Sequence, residues 1–405
     1  RFLFLIALTT LVSFVSGRLI VHYQRRDTGN AVRWYKNRAW LISAGNILFN
    51  LGILGCFKYY DFFFENVNAV FKTDFTLRHI LLPLGISFFT FQQLSFIIDR
   101  AKGKAEHYSF INYLTFVTFF PQLIAGPIVL YKEMMPQFED TKNRRFNSDQ
   151  FVKGIIIFTI GLGKKVLLAD NLALPVNFGF EQNLFLDTPS TLLMILAYTF
   201  QIYFDFSGYS DMAIGLGKMF NIELPINFNS PYKACSVKEL WQRWHMTLSR
   251  FFIQYVYIPM GGSRKGKART IFNTFMVFFL SGLWHGANWN YVLWGCYYGA
   301  LLLIEKLVLK KVLNRLPGII QRIYTMFFVV IGWIIFKCED MAYGISYLKA
   351  MFGGFGQGLW NNETLYLLGN YAVLFVLAIL GSTMLPKKAA GVVLGGRKRT
   401  WAENV

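Results

Sequence analysis

Apolar runs of about 20 residues alternate with short polar segments along the whole chain, and that is the length a helix needs to cross the hydrocarbon of a bilayer. A transmembrane barrel would instead alternate apolar and polar residues within shorter segments. The pattern predicts spans over about Phe2–Val15, Ala39–Phe57, His79–Ile98, Phe151–Ala169, Thr191–Gly217, Ile271–His285, Trp289–Glu305, Ile319–Phe336 and Leu365–Leu385. Phe110–Leu130 is apolar but contains Pro121, Gly126 and Pro127 and has basic loops on both sides. It reads as a broken hairpin that dips in and returns to one face, which is tolerated at membrane depth only where protein or a cavity surrounds the backbone. Residues 218–270 are too polar to span and too aromatic for a solvated tail, so interfacial helices and re-entrant pieces are expected there. The expected architecture is an all-α polytopic membrane protein of about nine to eleven membrane helices plus re-entrant segments. It forms a single membrane-embedded domain over residues 1–405, with no internal repeat and no separate soluble domain.

Composition agrees. Only 16% of the 405 residues are charged and 54% are apolar, whereas a soluble domain is about one quarter charged. The net charge of +19 invites a nucleic-acid reading. The Lys and Arg residues, however, gather in short clusters between the spans, as in positive-inside loops, so nucleic acid is excluded as a partner and membrane lipid is the expected one. Taking those clusters as cytoplasmic places residues 18–38, 99–109, 218–270, 306–322 and the tail from Lys387 on one face. The acidic segments with Asp61, Glu65, Asp74, Asp170, Glu181, Asp187, Glu339, Asp340 and Glu363 fall on the other. Cys56, Cys235, Cys296 and Cys338 are scattered, so neither a disulfide framework nor a zinc site is expected. A chain that opens at Arg1 is expected to be processed or to lack its start, and no small-residue cleavage pattern follows the first apolar run.

Candidate chemistry gathers between Gln201 and Gly295. His285 in SGLWHGANW lies at the end of a span, and His245 lies in ELWQRWHMTLS. Ionisable groups at membrane depth are costly and mark functional sites by default, and an imidazole suits proton removal from a hydroxyl near neutral pH. Packing remains an alternative for both. Gly282 and Gly286 form a small-xxx-small pair, and Trp241, Trp244, Leu248 and Phe252 recur at the spacing of an interfacial helix. Trp284, Asn288 and Arg243 flank the histidines as supporting residues. Asp205 and Asp211 in YFDFSGYSD are six apart in an apolar stretch and either hold a broken-helix network or polarise a partner. The same stretch lacks the nucleophile-elbow pattern, because Met212 stands where glycine is required. GGSRKGKAR supplies Arg264, Lys265 and Lys267, which serve either as a positive-inside loop or as donors to a phosphate-rich molecule such as coenzyme A. No histidine–carboxylate spacing suits a metal ion.

FDFSGYSDMAIG, NFNSPY, RWHMTLS, YVYIPMGGSRKG and GLWHGANWNYVLWG together resemble the membrane-bound O-acyltransferase family, in particular its bacterial branch that O-acetylates exported polysaccharides. The similarity runs over about Pro83 to Gly299, the motif-bearing core. The resemblance implies a ring of membrane helices around a central tunnel and an acetyl donor, acetyl-coenzyme A, entering from the cytoplasm. It implies no bound cofactor. It places the family's essential histidine on His285 and its second characteristic histidine on His245. It further implies a bacterial inner-membrane location and a separate extracytoplasmic SGNH-type transferase as partner. Within the branch, YIPMGGSRKG resembles the O-acetylating proteins more than the D-alanyl transfer protein of teichoic acids. RFFIQYVY departs from the Arg-Asp pair that precedes YVY in the alginate type, which favours peptidoglycan as acceptor.

The expected function is therefore acetyl transfer from coenzyme A towards an extracytoplasmic hydroxyl, with His285 as the base or acyl-handling residue. His245 would orient the donor or share proton transfer. Alginate-type or D-alanyl transfer is the near alternative, and a secondary transporter or flippase, also built from broken helices with midplane carboxylates, is the distant one. One geometric difficulty stands. A straight helix from the basic loop would carry His285 about 20 Å away, nearly across the bilayer, so a single site requires that span to break, tilt or sink beside a funnel.

Overall fold

The computed structural model describes residues 2–26, 38–104, 109–124, 126–181, 187–353 and 362–385. The basic residues Arg33 and Lys36 and the basic tail from Lys387 lie outside the described residues. Among the described residues every regular element is helical, which agrees with the all-α expectation. The chain clusters into two compact units, 1–155 with 213–225, and 156–212 with 226–405.

In the first unit, helices α1 (Phe2–Arg26), α2 (Arg38–Phe71) and α3 (Ile86–Ala101) pack together. Apolar faces alone do not join helices in lipid, where the tails are equally apolar, so small and polar residues do. Ser13 donates to Gln93 Oε1 at 2.8 Å, Gln93 Nε2 donates to Thr9 at 3.0 Å, and Asn46 Nδ2 donates to Ser16 at 3.1 Å. Gly17 lets Phe96 close onto α1: a Cβ there would sit 2.6 Å from that ring.

Three boundaries differ from expectation. The first span does not end near Val15: its helix runs on to Arg26, with no proline to stop it, so Arg18, Arg25 and Arg26 are helical rather than part of a loop. The second span does not end near Phe57. Its helix runs on to Phe71, so Asp61 and Glu65 are helical rather than part of an exit loop. No glycine or proline interrupts residues 57–71, and the Asp61 carboxylate accepts the returning amides of Arg78 at 2.7 Å and Ile80 at 3.3 Å. The third helix starts at Ile86 rather than His79, because Pro83 and Gly85 intervene. Gly85 has φ 73°, and a Cβ on it would meet the Leu123 carbonyl oxygen at 2.6 Å. The 110–130 stretch is broken as expected. Helix α4 (Phe110–Thr118) stops at Phe119, the short α5 (Phe120–Leu123) follows, and the chain resumes helix only at α6 (Tyr131–Glu139).

From α7 (Ser148–Gly163) the chain passes through a wide π-type turn at Lys164–Ala169 into α8 (Asp170–Glu181), then into the long α9 (Thr188–Met219). The polar 218–270 stretch folds into loops and two short helices, α10 (Val237–Arg243) and α11 (Met246–Phe252). α12 (Lys267–His285) and α13 (Trp289–Ile304) form the expected hairpin. A Cβ on Gly282 would collide with the Tyr291 carbonyl and would lie 3.1 Å from the Cα of Gly295, so these two glycines let the helices touch backbone to backbone. A short α14 (Lys310–Leu313) precedes α15 (Gly318–Lys337), which covers the expected span. α16 (Met341–Met351), begun by an Asp340 carboxylate accepting the Ala342 amide at 2.8 Å, was not legible as an element. α17 (Asn362–Ser382) closes the described chain.

Five helical stretches, Phe2–Gln24, Arg38–Phe71, Trp289–Leu313, Gly318–Lys337 and Thr364–Ser382, are long and apolar enough to cross a membrane by length and composition. The remaining expected spans also form helices but carry charged or amide groups, as Asp205 and Asp211 do on α9. The second unit's core is aromatic. Trp244 lies 4.9 Å from Trp333 and Trp241 lies 4.8 Å from Tyr298, centroid to centroid, so α10 and its following turn are held against α13 and α15.

Candidate active site

The turn that carries His245 is fixed from both ends. Glu305, only 5% exposed, accepts the first amides of α10, Val237 at 2.7 Å and Lys238 at 3.0 Å, groups that a helix start leaves without partners. At the other end of α10, Arg243 Nε donates to Glu239 at 2.8 Å and its guanidinium reaches the Asn229 carbonyl at 3.2 Å. The Asn229 amide donates to the Arg243 carbonyl at 2.9 Å, and the Met246 amide donates to the Asn227 carbonyl at 3.0 Å. Between these clamps His245 takes φ 45° and ψ 51°, a left-handed conformation that non-glycine residues adopt mainly where surroundings impose it. Its side chain is 1% exposed. The ring meets Phe206 edge-on at 4.7 Å, and Nδ1 lies 3.1 Å from Asn227 Oδ1.

His285 ends α12. Its ring sits in an aromatic setting, 4.9 Å from Trp284, 5.0 Å from Trp294 and 5.2 Å from Phe336. Trp284 touches both histidines, at 5.8 Å from His245 and 4.9 Å from His285, which bounds the separation of the two imidazole centroids at about 11 Å. The two rings are thus neighbours, as a single site requires, while only His245 lines an adjoining cavity. α12 is unbroken over its 19 residues. The polar 218–270 stretch instead carries His245 inward to the helix end where His285 stands.

A cavity of about 780 Å³ adjoins His245. Thr274, Val277, Phe278 and Ser281 line it, a single stripe of α12 at i, i+3, i+4 and i+7. Ser263 of the GGSRKG loop lines it before α12 begins, and Ser281 lines it one turn before His285. The facing wall comes from α10 and α11, with Trp241, Leu248 and Phe252. Lys238, Lys306 and Lys310 also line it. These three gather around the N-terminus of α10 and its Glu305 cap, whereas His245 lies just past the opposite end of that helix. Glu239 and Glu305 line the same end, so the cavity joins a charged end, three lysines with two carboxylates, to an imidazole. Its volume suits one medium-sized ligand.

A sequence model of the membrane-bound O-acyltransferase family matches residues 97–345, which include both histidines, the α12–α13 hairpin and the whole cavity wall. The chain belongs to the membrane-bound O-acyltransferase family. It is 42% identical over 344 residues to a peptidoglycan O-acetyltransferase of Helicobacter pylori, covering 78% of this chain and 65% of that protein. It is 41% identical over 330 residues to a probable alginate O-acetylase of Pseudomonas aeruginosa, covering 79% and 62%. Similarity to a teichoic acid D-alanyltransferase of Streptococcus thermophilus is 30% over 246 residues, covering 58% and 59%. The chain spans less than two thirds of the length of each of these relatives.

The other residues marked in this membrane-bound O-acyltransferase sequence fall in distinct places. Asp205 and Asp211 pair with consecutive lysines of the π-type turn: Lys165 Nζ lies 2.6 Å from Asp205 and 2.7 Å from Asp170, and Lys164 Nζ lies 2.5 Å from Asp211. At 100° per residue, Phe206 and Ser210 share the face of α9 that meets His245 and Asn227. Asp205, Gly208 and Asp211 fall within an arc of about 120° on the opposite face. The carboxylates therefore tie α9 to the π-type turn at the end of α7, where Gly161 and Gly208 let the backbones of α7 and α9 approach. Asn288 caps α13 by accepting the Asn290 amide at 3.3 Å. Arg264, Lys265 and Lys267 are exposed and do not line the cavity. Lys238, Lys306 and Lys310 do; no site role was legible for them in the sequence, nor for Asn227, although Asn227 opens the NFNSPY motif. Among the described residues no group of three or more His, Cys, Asp or Glu is placed to hold a metal ion.

Burial, and secondarily the nearby charge of His285, hold the His245 imidazole well below its ordinary pKa of 6.5, so the folded protein keeps it neutral. The unfolded chain binds that proton below about pH 6.5 and the folded chain does not, so stability is full above that pH and falls as pH drops towards the folded value. The loss approaches about 1.4 kcal/mol per pH unit for one such group. Thermal unfolding of the detergent-solubilised protein is therefore expected to weaken from pH 7 to pH 5.5, and more steeply in wild type than in His245→Gln. Parallel slopes would show that His245 is protonated within the fold.

Proposed function

We propose that this membrane-bound O-acyltransferase takes acetyl from acetyl-coenzyme A on the cytoplasmic side of the bacterial inner membrane and passes it towards an extracytoplasmic polysaccharide, with peptidoglycan as the acceptor polymer. The observation that carries this reading is the cavity itself. Its three lysines offer charge to the donor's phosphates, its apolar walls suit the pantetheine arm, and an imidazole waits beyond. His245 and His285, on either side of Trp284, form the reacting centre. In the transfer the acceptor hydroxyl gives its proton to an imidazole while its oxygen attacks the thioester carbonyl. The carbon–sulfur bond then breaks and the coenzyme A thiolate takes the proton back, leaving an ester and free thiol. The name of the Helicobacter pylori relative and the departure at RFFIQYVY favour peptidoglycan over alginate. Completion on the polymer is assigned to a separate extracytoplasmic SGNH-type transferase.

The test uses the chain reconstituted in vesicles with labelled acetyl-coenzyme A. Wild type is expected to consume the donor and release free thiol. The paired variant Lys306→Glu/Lys310→Glu is expected to raise KM for the donor about tenfold or more, the scale of a lost hydrogen bond to a charged group, with kcat little changed. Arg264→Glu/Lys265→Glu is expected to shift KM less, because those side chains stand outside the cavity. Ion-coupled uptake of a solute without turnover of acetyl-coenzyme A would overturn the enzyme reading in favour of a transporter.

A further inference from the structure

Asn227 opens the NFNSPY motif without a role of its own having been read for it, and three donors converge on one of its atoms. Its Oδ1 lies 3.3 Å from the Thr247 amide nitrogen, 3.0 Å from the Thr247 hydroxyl and 3.1 Å from His245 Nδ1. A backbone N–H can only donate, so the Asn227 atom facing Thr247 is the amide oxygen. An oxygen can only accept, so Nδ1 of His245 carries its proton and donates. The other ring nitrogen, Nε2, then holds the lone pair. That nitrogen is buried with no hydrogen-bond partner among the described residues, on a residue that lines the cavity. The Asn227 amide nitrogen is placed in turn by Ser210 Oγ at 3.4 Å.

We infer that Asn227 is a positioning residue that fixes the His245 tautomer, so that Nε2 stands ready to accept a proton from a group in the cavity. This rests on the acyltransfer reading only for what that group is. An unpaired buried nitrogen is costly, and neighbours that orient an imidazole are the usual means of setting its role. Of the charged groups on the packed elements, those of α9 and the Glu239–Arg243 pair of α10 have partners of their own. On α9, Asp205 and Asp211 turn to Lys165 and Lys164. On α10, Glu239 and Arg243 pair with each other. Arg250 lies five residues on in α11. From α12 the titratable neighbour is His285 across Trp284.

The experiment labels histidine nitrogens in the full chain in lipid nanodiscs and reads each ring's protonation by NMR, with His245→Gln assigning the signal. Wild type near neutral pH is expected to show Nδ1 protonated and Nε2 bare. Asn227→Leu, similar in shape but without an acceptor, is expected to lose that single tautomer and to lower kcat about 100-fold or more, with KM for acetyl-coenzyme A little changed. Asn227→Asp keeps an acceptor, and Ser210 can donate to it by rotating its hydroxyl. The added carboxylate is expected to keep the tautomer and move the His245 titration to higher pH. A protonated Nε2 in wild type, or an unchanged tautomer in Asn227→Leu, would overturn the inference. Should Asn227→Leu fail to fold, an unmoved titration in Asn227→Asp would do so. The tautomer is read without turnover, so a wild type with bare Nε2 that transfers no acetyl refutes the acetyl-coenzyme A reading alone.

Discussion

His285→Ala in otherwise intact protein is expected to lower acetyl transfer about 1,000-fold or more, while the size-exclusion profile and thermal midpoint stay close to wild type. The ring is half-buried at a helix end beside Trp284, Trp294 and Phe336, and it stands at the end of α12 rather than inside it, so truncation there is expected to remove chemistry before it removes stability. Removing a proton-transfer group from an enzyme commonly costs two to four orders of magnitude. His245→Ala is expected to be comparably inactive. The decisive measurement is the double variant. Two groups that serve one reacting centre are grossly non-additive, so the double variant should be little worse than the poorer single one. Two groups at opposite ends of a tunnel would instead multiply their losses. The shared contact with Trp284 predicts the first result. Multiplied losses would separate the histidines into two sites, and transfer retained in His285→Ala would remove it from the chemistry.

The helical, membrane-spanning character of the fold was legible because lipid imposes it: runs of about 20 apolar residues admit few other structures. What escaped the sequence was governed by single contacts. The extension of α2 to Phe71 depends on Asp61 meeting amides from residues 78 and 80, a pairing no periodicity encodes. The late start of α3 was available in principle, since Pro83 and Gly85 stand in the middle of the apolar run. The two aspartates of α9 could also have been sorted. Their spacing around Gly208 puts them on one helix face, away from Phe206 and Ser210, and Lys164 and Lys165 were the evident counter-charges. Asn227 was visible as the first residue of NFNSPY, but its partner was not. That it meets a histidine 18 residues on carries no signal until the backbone pairing of 227–229 with 243–246 brings them together. The same holds for Lys238, Lys306 and Lys310, which come to one cavity from two distant stretches. The glycine-rich basic loop attracted attention because its charges are adjacent in sequence.

Removing one partner of the Lys164–Asp211 pair is expected to destabilise the protein strongly, and removing both is expected to restore much of the loss. The carboxylate and ammonium lie 2.5 Å apart with 18% and 25% of their side chains exposed, at the crossing where a Cβ on Gly161 or Gly208 would meet the facing carbonyl oxygen within 3 Å. Asp211→Ala leaves the ammonium of Lys164 mostly out of water without a counter-charge, at an expected cost of about 2 kcal/mol or more, below the range for fully buried pairs because water still reaches this one. Lys164→Met/Asp211→Leu replaces both charges with apolar groups of similar length and leaves no orphan. It is expected to unfold closer to wild type than either Asp211→Ala or Lys164→Ala. The pair faces away from His245, so turnover per folded molecule should survive in the double variant. Thermal melts and acetyl transfer on the same preparations separate the two readings of this carboxylate. A double variant that melts like wild type but has lost transfer would give Asp211 a part in the chemistry. Losses in melting temperature that simply add would mean that the two side chains act independently and that the close-packed glycines alone hold the crossing.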